Sequence, residues 1–177
     1  AYPADGRGNA RARAIAAPHV AGSPQELSFH LPMAPDPAVA QAAYDEAARR
    51  IGDALAAGGT VALVCEGDPL LFGSATMVLA RLAERFPVSV VPGIVSATAA
   101  AARLVQPLAV RGEVFAVVPG TLDNARLDRA LDAADAGAIL KVGRHFDRIR
   151  DALRRAGRAA SARLVTEATG LGETVAP

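Results

Sequence analysis

The chain reads as an α/β protein of two lobes, with a mostly parallel sheet in the first lobe and a mixed sheet in the second. Three observations predict the α/β class and the two lobes. Apolar runs bounded by turn residues, TVALVC (60–65) and VSVV (88–91), flank a helix-like segment, the spacing of a β-α-β unit whose strands are covered on both faces. Proline and glycine then break the pattern at QPLAVRGE (106–113), where a hinge is expected, giving lobes 1–107 and 108–177. Beyond that break the order strand, helix, strand begins again.

Taken in order, RGNARARAIAAPHV (7–20) predicts a short helix ended by Pro18. Gln25 to Leu31 alternates polar and apolar residues as a strand does, and LPMAPDP breaks it. Asp36 is placed to cap a helix with Pro37 at its first position; Ala38 to Ala57 continues it, and Gly58-Gly59 stops it. After TVALVC comes EGDP, then a helix expected to start at Pro69 and run to Leu82 or Phe86, then the apolar strand 88–91. PGIVSATAAAARL gives a turn and a small-residue helix for which Ser96 is the expected cap. The second half predicts a strand at 114–119, a helix at 122–134, a strand at 138–142, the helix DRIRDALRRAG behind GRHF, and a strand at 162–168. The last three residues read as the start of a hairpin partner.

Composition excludes several classes. A formal net charge of +1 leaves no bulk electrostatic attraction for nucleic acid. The single Cys65 excludes an internal disulfide, and with no charged-then-apolar leader the expected setting is a reducing cytoplasm. No apolar run is long enough to cross a bilayer. His19, His30 and His145 stand apart from one another and Cys65 falls inside a predicted strand, so no metal site is expected. The phosphate loop ending in Gly-Lys-Ser/Thr, GxGxxG after a strand and the GxSxG elbow are all missing. The opening Ala1-Tyr2-Pro3 lacks an initiator methionine and reads as the continuation of a longer sequence.

Chemistry is expected where strands end, because loops and helix amino termini converge there in a parallel sheet. Four such loops, EGDP, PGIVS, PGT and GRHF, all carry glycine, which suits a site built from main-chain groups although short βα turns use glycine in any case. Asp68 has two readings, a cap for the following helix and a site carboxylate, and Glu66 beside it is the second acidic candidate.

CEGDPLLFGS, VVPGIVSATAAAA, VVPGT and KVGRHFDRIRDAL, in that order, resemble the tetrapyrrole methylase family, whose two-lobed α/β enzymes methylate corrin and sirohaem precursors from S-adenosylmethionine; within it, EGDP, PGT and ILKVGRHFDRIR most resemble the branch acting on C20 of precorrin-2 in cobalamin biosynthesis. The family pattern begins with a strand and a GxGPGDP loop, neither of which occurs in this sequence, so an N-terminal strand is expected to be missing, as is a short tail after Pro177.

The resemblance implies S-adenosylmethionine as cofactor, folded between the lobes and contacted by Gly67, Asp68, Pro69, Ser96, Ala97, Pro119, Gly120, Thr121 and, at the adenine, Thr169. It implies a carboxylate-rich tetrapyrrole substrate, precorrin-2 or its cobalt form, for which Arg11, Arg13 and Arg144 are the cationic candidates unless they only face solvent. Glu66 and Asp68 are the candidates to accept the proton lost after methyl transfer. A homodimer is implied too, and so is the mixed character of the second sheet. Two other readings stay open at this point: a relative acting on another ring position or a diphthine synthase-like enzyme, and a non-catalytic α/β binding domain.

Overall fold

An aspartate followed by a proline begins the longest helix of the chain. In the computed structural model, which describes residues 1–32 and 36–177, α2 runs Pro37–Ala56 with the Asp36 carboxylate accepting from the Ala38 amide at 2.9 Å. The Pro-rich break predicted at LPMAPDP includes residues 33–35, which lie outside the described residues. The chain divides into two compact units, Ala1–Gly93 and Ile94–Pro177.

In the first unit, β1 (Tyr2–Ala4) pairs in parallel with β2 (Ser28–His30), and α1 (Arg11–Ala16) with a 3-10 turn (Ala17–His19) fills the crossover. Pro18 sits inside that turn, where its missing amide costs nothing. Helix α2 buries Ala47, Ala48, Ile51 and Gly52 as one stripe against Val78 and Leu82 of α3 (Ala75–Leu82), and Phe29 of β2 completes the core. Gly52 faces the Phe86 ring, and a Cβ added there would stand in ordinary contact with it at 3.5 Å.

Three expectations for this unit fail. The run 60–65 forms no assigned strand: it is extended beside Ala1, joined by Ala1 N to Ala62 O at 2.6 Å and Val64 N to Ala1 O at 2.9 Å, too few bonds for a ladder. The run 88–91 is not a strand either, and Val88, Val90 and Val91 are exposed. No helix begins at Pro69; the chain turns irregularly through 70–74 and α3 starts at Ala75, because Gly73 and the left-handed Phe72 (φ 52°) interrupt a continuous helix. The β-α-β unit predicted over 60–91 is therefore absent.

The second unit holds one instead. β3 (Phe115–Pro119), α5 (Asn124–Asp132) and β4 (Ala136–Leu140) make a parallel pair in register from Phe115 opposite Ala136 to Pro119 opposite Leu140. Asp123 caps α5 by accepting from the Arg126 amide at 2.8 Å. A 3-10 turn (Gly143–His145) leads from β4 into α6 (Phe146–Arg155). Leu127 and Leu131 of α5 pack with Ile149 and Ala152 of α6 on Val118 of β3, each pair at helical spacing. β5 (Leu164–Thr166) and β6 (Thr174–Ala176) form the antiparallel hairpin that the end of the sequence suggests. Helix α4 (Ser96–Leu104) lies against β4, so in space it keeps to the second unit although the expected hinge at 106–113 follows it in sequence. The α/β class holds, with a parallel pair in the first unit and one parallel and one antiparallel pair in the second.

Candidate functional site

Glu-Gly-Asp-Pro forms a tight turn whose glycine has a reason to be there. Gly67 takes φ 69°, a region that side chains rarely enter. Asp68 then spends both carboxylate oxygens on main chain: Oδ1 accepts from Leu70 N and Oδ2 from Gly93 N, each at 2.9 Å. These two amides, Gly93 first, hold the Asp68 carboxyl below the usual carboxylate range. Asp68 thus caps a turn and not a helix, and it staples the EGDP loop to the Pro-Gly turn at 92–93. Gly93 is the residue that sequence reasoning missed here. A Cβ on it would run into the Gly67 carbonyl and stand 3.0 Å from Asp68 Cα, so only glycine lets the two backbones meet. The signal was present as the PG of PGIVS, but nothing in the sequence says which backbone it faces.

Glu66 pairs with Arg11 at 3.5 Å, both side chains about half exposed. Arg13 is engaged elsewhere, on Glu26 at 2.7 Å, and the Tyr2 hydroxyl donates to the same carboxylate at 2.6 Å. The Arg13 and Tyr2 hydrogen bonds pull Glu26 down to about 2. Cys65, half-buried beside the loop, has its thiol pushed up by burial and by the charges of Asp68 and Glu66.

In the second unit Ser96 is the first residue of α4 and not its cap. Val95 occupies the cap position with no side-chain bond, and its carbonyl accepts from Thr98 Oγ1 at 2.7 Å. Ala97 is buried. Because β3 and β4 are parallel and in register, Pro119-Gly120-Thr121 and the Gly143–His145 turn leave the sheet at the same edge, which puts exposed Arg144 on that edge with them. Gly120 is fully engaged: its amide donates to Leu140 O at 2.6 Å and its carbonyl accepts from Arg148 Nη2 at 2.5 Å. Arg148, also 3.3 Å from Asn124 Oδ1, is a second residue that sequence reasoning missed.

Thr169 lies in the 167–173 turn between β5 and β6 at φ 65°, with its amide on Glu173 Oε2 at 2.8 Å. Arg103, in the last turn of α4, donates to the other oxygen of Glu173. A shallow apolar hollow of about 500 Å³ at the carboxyl end of α4, lined by Ala101, Val105, Pro107 and Leu108 among others, includes none of the sequence-predicted residues.

The sequence that carries these turns fits a known family over nearly its whole length: residues 4–177 match the family model described as Tetrapyrrole (Corrin/Porphyrin) Methylases. The chain belongs to the tetrapyrrole methylase family. It is similar to precorrin-2 C(20)-methyltransferase of Sinorhizobium sp, 44% identical over 115 residues that cover 65% of this chain and 47% of that protein. It is similar also to cobalamin biosynthesis protein CobIJ of Mycobacterium tuberculosis, 36% identical over 190 residues covering 100% of this chain and 36% of that protein. The chain thus spans less than half the length of these two curated relatives. Among solved structures, the uroporphyrin-III C-methyl transferase of Thermus thermophilus complexed with S-adenyl homocysteine superposes with a TM-score of 0.59 at 26% identity, covering 75% of this chain and 62% of that one. The tetrapyrrole methylase assignment therefore accounts for the α/β fold class.

Proposed function

We propose that this protein is an S-adenosylmethionine-dependent C-methyltransferase acting at C20 of precorrin-2 or cobalt-precorrin-2 in cobalamin biosynthesis, working as a cytoplasmic homodimer. The observation that carries the reading is the 44% identity to a precorrin-2 C(20)-methyltransferase. The local geometry fits a ligand held by peptide groups: at Gly67 (φ 69°) the backbone turns without a side chain in the way, and the Asp68–Gly93 bond fixes it there. When bound, the cofactor supplies an electrophilic methyl group on a sulfonium.

Under this reading Gly67, Asp68 and Pro69 hold the cofactor from one loop, and Ser96, Ala97, Pro119, Thr121 and Thr169 contact it from the others. Gly120, with amide and carbonyl both committed, shapes its turn and leaves the polar contacts to its neighbours. Arg144, and Arg11 through exchange of Glu66 for a substrate carboxylate, would meet the acid groups of the tetrapyrrole. Arg13 would have to leave Glu26 to do the same.

Isothermal titration with S-adenosylhomocysteine tests the cofactor, and mass spectrometry of the product formed from precorrin-2 tests the ring position. Saturable binding, abolished in Gly67→Val, is expected. No heat at high micromolar ligand, or an undiminished affinity in Gly67→Val, would remove the reading or this loop from it.

A further inference from the structure

The turn between β5 and β6 has an unfavourable backbone shape, and one carboxylate joins its backbone bonds, Gly170 N to Glu167 O at 2.7 Å and Glu173 N to Gly170 O at 3.3 Å, in holding it. Within 167–173, Glu167 (φ 48°) and Thr169 (φ 65°) are both left-handed without being glycine, a conformation that persists only where neighbours enforce it. For Thr169 the enforcer is Glu173, whose Oε2 takes the Thr169 amide at 2.8 Å. Its Oε1 takes the guanidinium of Arg103. The Glu173 side chain is 15% exposed while Arg103 and Thr169 are exposed, so the carboxylate is sheltered but its two bonds lie at the surface. The Thr169 amide first, and Arg103 after it, hold the Glu173 carboxyl below its ordinary value, so at neutral pH it is a charged acceptor. The Thr166 and Thr174 hydroxyls, 2.5 Å apart, close the hairpin just behind the turn.

Arg103 matters for where it stands. It lies in the last turn of α4, the helix whose first residues are Ser96 and Ala97, and seven residues of helix span about 10 Å. One carboxylate therefore ties the helix that bears two of the proposed cofactor contacts to the turn that bears a third.

We propose that Glu173, held by Arg103, is a positioning residue for the cofactor: it fixes the Thr169 turn in the shape that receives the adenine. The proposal rests on the reading that Thr169 meets that ring. Its consequence is preorganisation, since a turn already ordered need not be ordered by the ligand.

The test uses the full chain, titrated with S-adenosylhomocysteine, alongside ligand-free melting and hydrogen exchange at the Thr169 amide. Glu173→Ala removes the acceptor and is expected to weaken binding by about 10- to 100-fold, the scale of lost preorganisation, while Thr169 exchange accelerates. Glu173→Gln keeps an oxygen for the Thr169 amide and is expected to restore affinity to within about 3-fold of the unsubstituted chain. A merely structural loss would not be rescued in that way. Equal affinity in the unsubstituted chain and Glu173→Ala overturns the positioning role and leaves the cofactor reading standing. Weakened binding with unchanged Thr169 exchange overturns it as well. Should the unsubstituted chain bind nothing, the cofactor reading falls and takes this role with it, whatever the exchange data. Should Glu173→Ala not fold, Glu173→Met, which keeps the bulk without the acceptor, decides: a loss of affinity with faster Thr169 exchange supports the proposal and an unchanged affinity refutes it.

Discussion

Adding one methyl group at Gly120 tests how tightly the end of β3 is packed. An alanine Cβ there would stand 2.8 Å from Ile149 Cδ1, 3.0 Å from Lys141 O and 3.1 Å from Leu140 O, all inside ordinary van der Waals distance. The isoleucine methyl can swing aside. The two carbonyls cannot, because they belong to the end of β4, and Leu140 O already accepts the Gly120 amide at 2.6 Å. The turn must move, and moving it stretches that bond and the one from Arg148 to the Gly120 carbonyl. Overpacking of this kind costs about 1–3 kcal/mol, and the lower unfolded-state entropy of alanine returns about 0.4–1 kcal/mol where the native backbone tolerates it. At the middle of both ranges the net loss is about 1.3 kcal/mol, which for a chain of this length lowers Tm by roughly 3–5 °C. Gly112→Ala is the matched control, since nothing lies within 4 Å of its Cβ position, and it should leave Tm unchanged or slightly raised. Thermal unfolding followed by circular dichroism reads both. If Gly120→Ala melts within a degree of Gly112→Ala, the turn is not wedged as described.

Leu127, at 0% exposure in the core of the second unit, should cost about 2–5 kcal/mol when truncated to alanine; an unchanged urea midpoint would show that α5 does not pack there. Asp36→Ala removes the acceptor at the start of α2 and should destabilise by about 1 kcal/mol, whereas an equal loss in Asp36→Ser would implicate something other than the cap. Glu26 sits below its ordinary 4.5, at about 2, so its contribution is fully present above pH 4.5 and is lost as pH falls from there through 2. Acid unfolding of Glu26→Gln should accordingly be flatter than that of the unsubstituted chain across this interval, and coincident curves would place the acid sensitivity elsewhere.

Helices and their caps were legible because their signals are local. Asp36-Pro37 and the Gly58 stop mark α2 to within a residue, and the stripe 47, 48, 51, 52 is visible as apolar or small positions at helical spacing. The parallel pair of the second unit was legible for a related reason, two apolar runs flanking a helix of the length a crossover needs, although the second strand lies at Ala136–Leu140, two residues ahead of the expected 138–142. The first-unit strands were misread because a strand is a property of pairs. TVALVC has the composition of a covered strand, but among the described residues it bonds to Ala1 at two points and enters no ladder, and VSVV has valines that face water. Composition reports what a segment could bury and is silent on which neighbour is there to bury it. Ser96 was misread for a smaller reason, a one-residue shift that leaves Val95 at the cap and Thr98 bonding back to it. Gly93 and Arg148 were invisible because each acts on a backbone distant in sequence, and Glu173 because its second partner, the Arg103 side chain, lies 70 residues away.

The hydrogen bonding of the loops also bears on what chemistry they can perform. A general base works best with a pKa near the working pH, yet Asp68 is held low by two main-chain amides that occupy both of its oxygens. Protonating it would weaken the staple to Gly93 on which the shape of the loop depends. Glu66 lies against Arg11 on an exposed face. Both acidic candidates are therefore better suited to building the loop and balancing a guanidinium than to taking a proton. For methyl transfer this is no deficit: the positive charge of a sulfonium disappears in the reaction, so the demand on the protein is alignment of donor and acceptor atoms, which rigid turns supply. The glycines have a different task. Gly93 lets its backbone meet that of Gly67, which turns at φ 69°, and Gly120 lets a turn sit between β4 and α6; under the proposed function these are the close main-chain packings that set the shape of the loops.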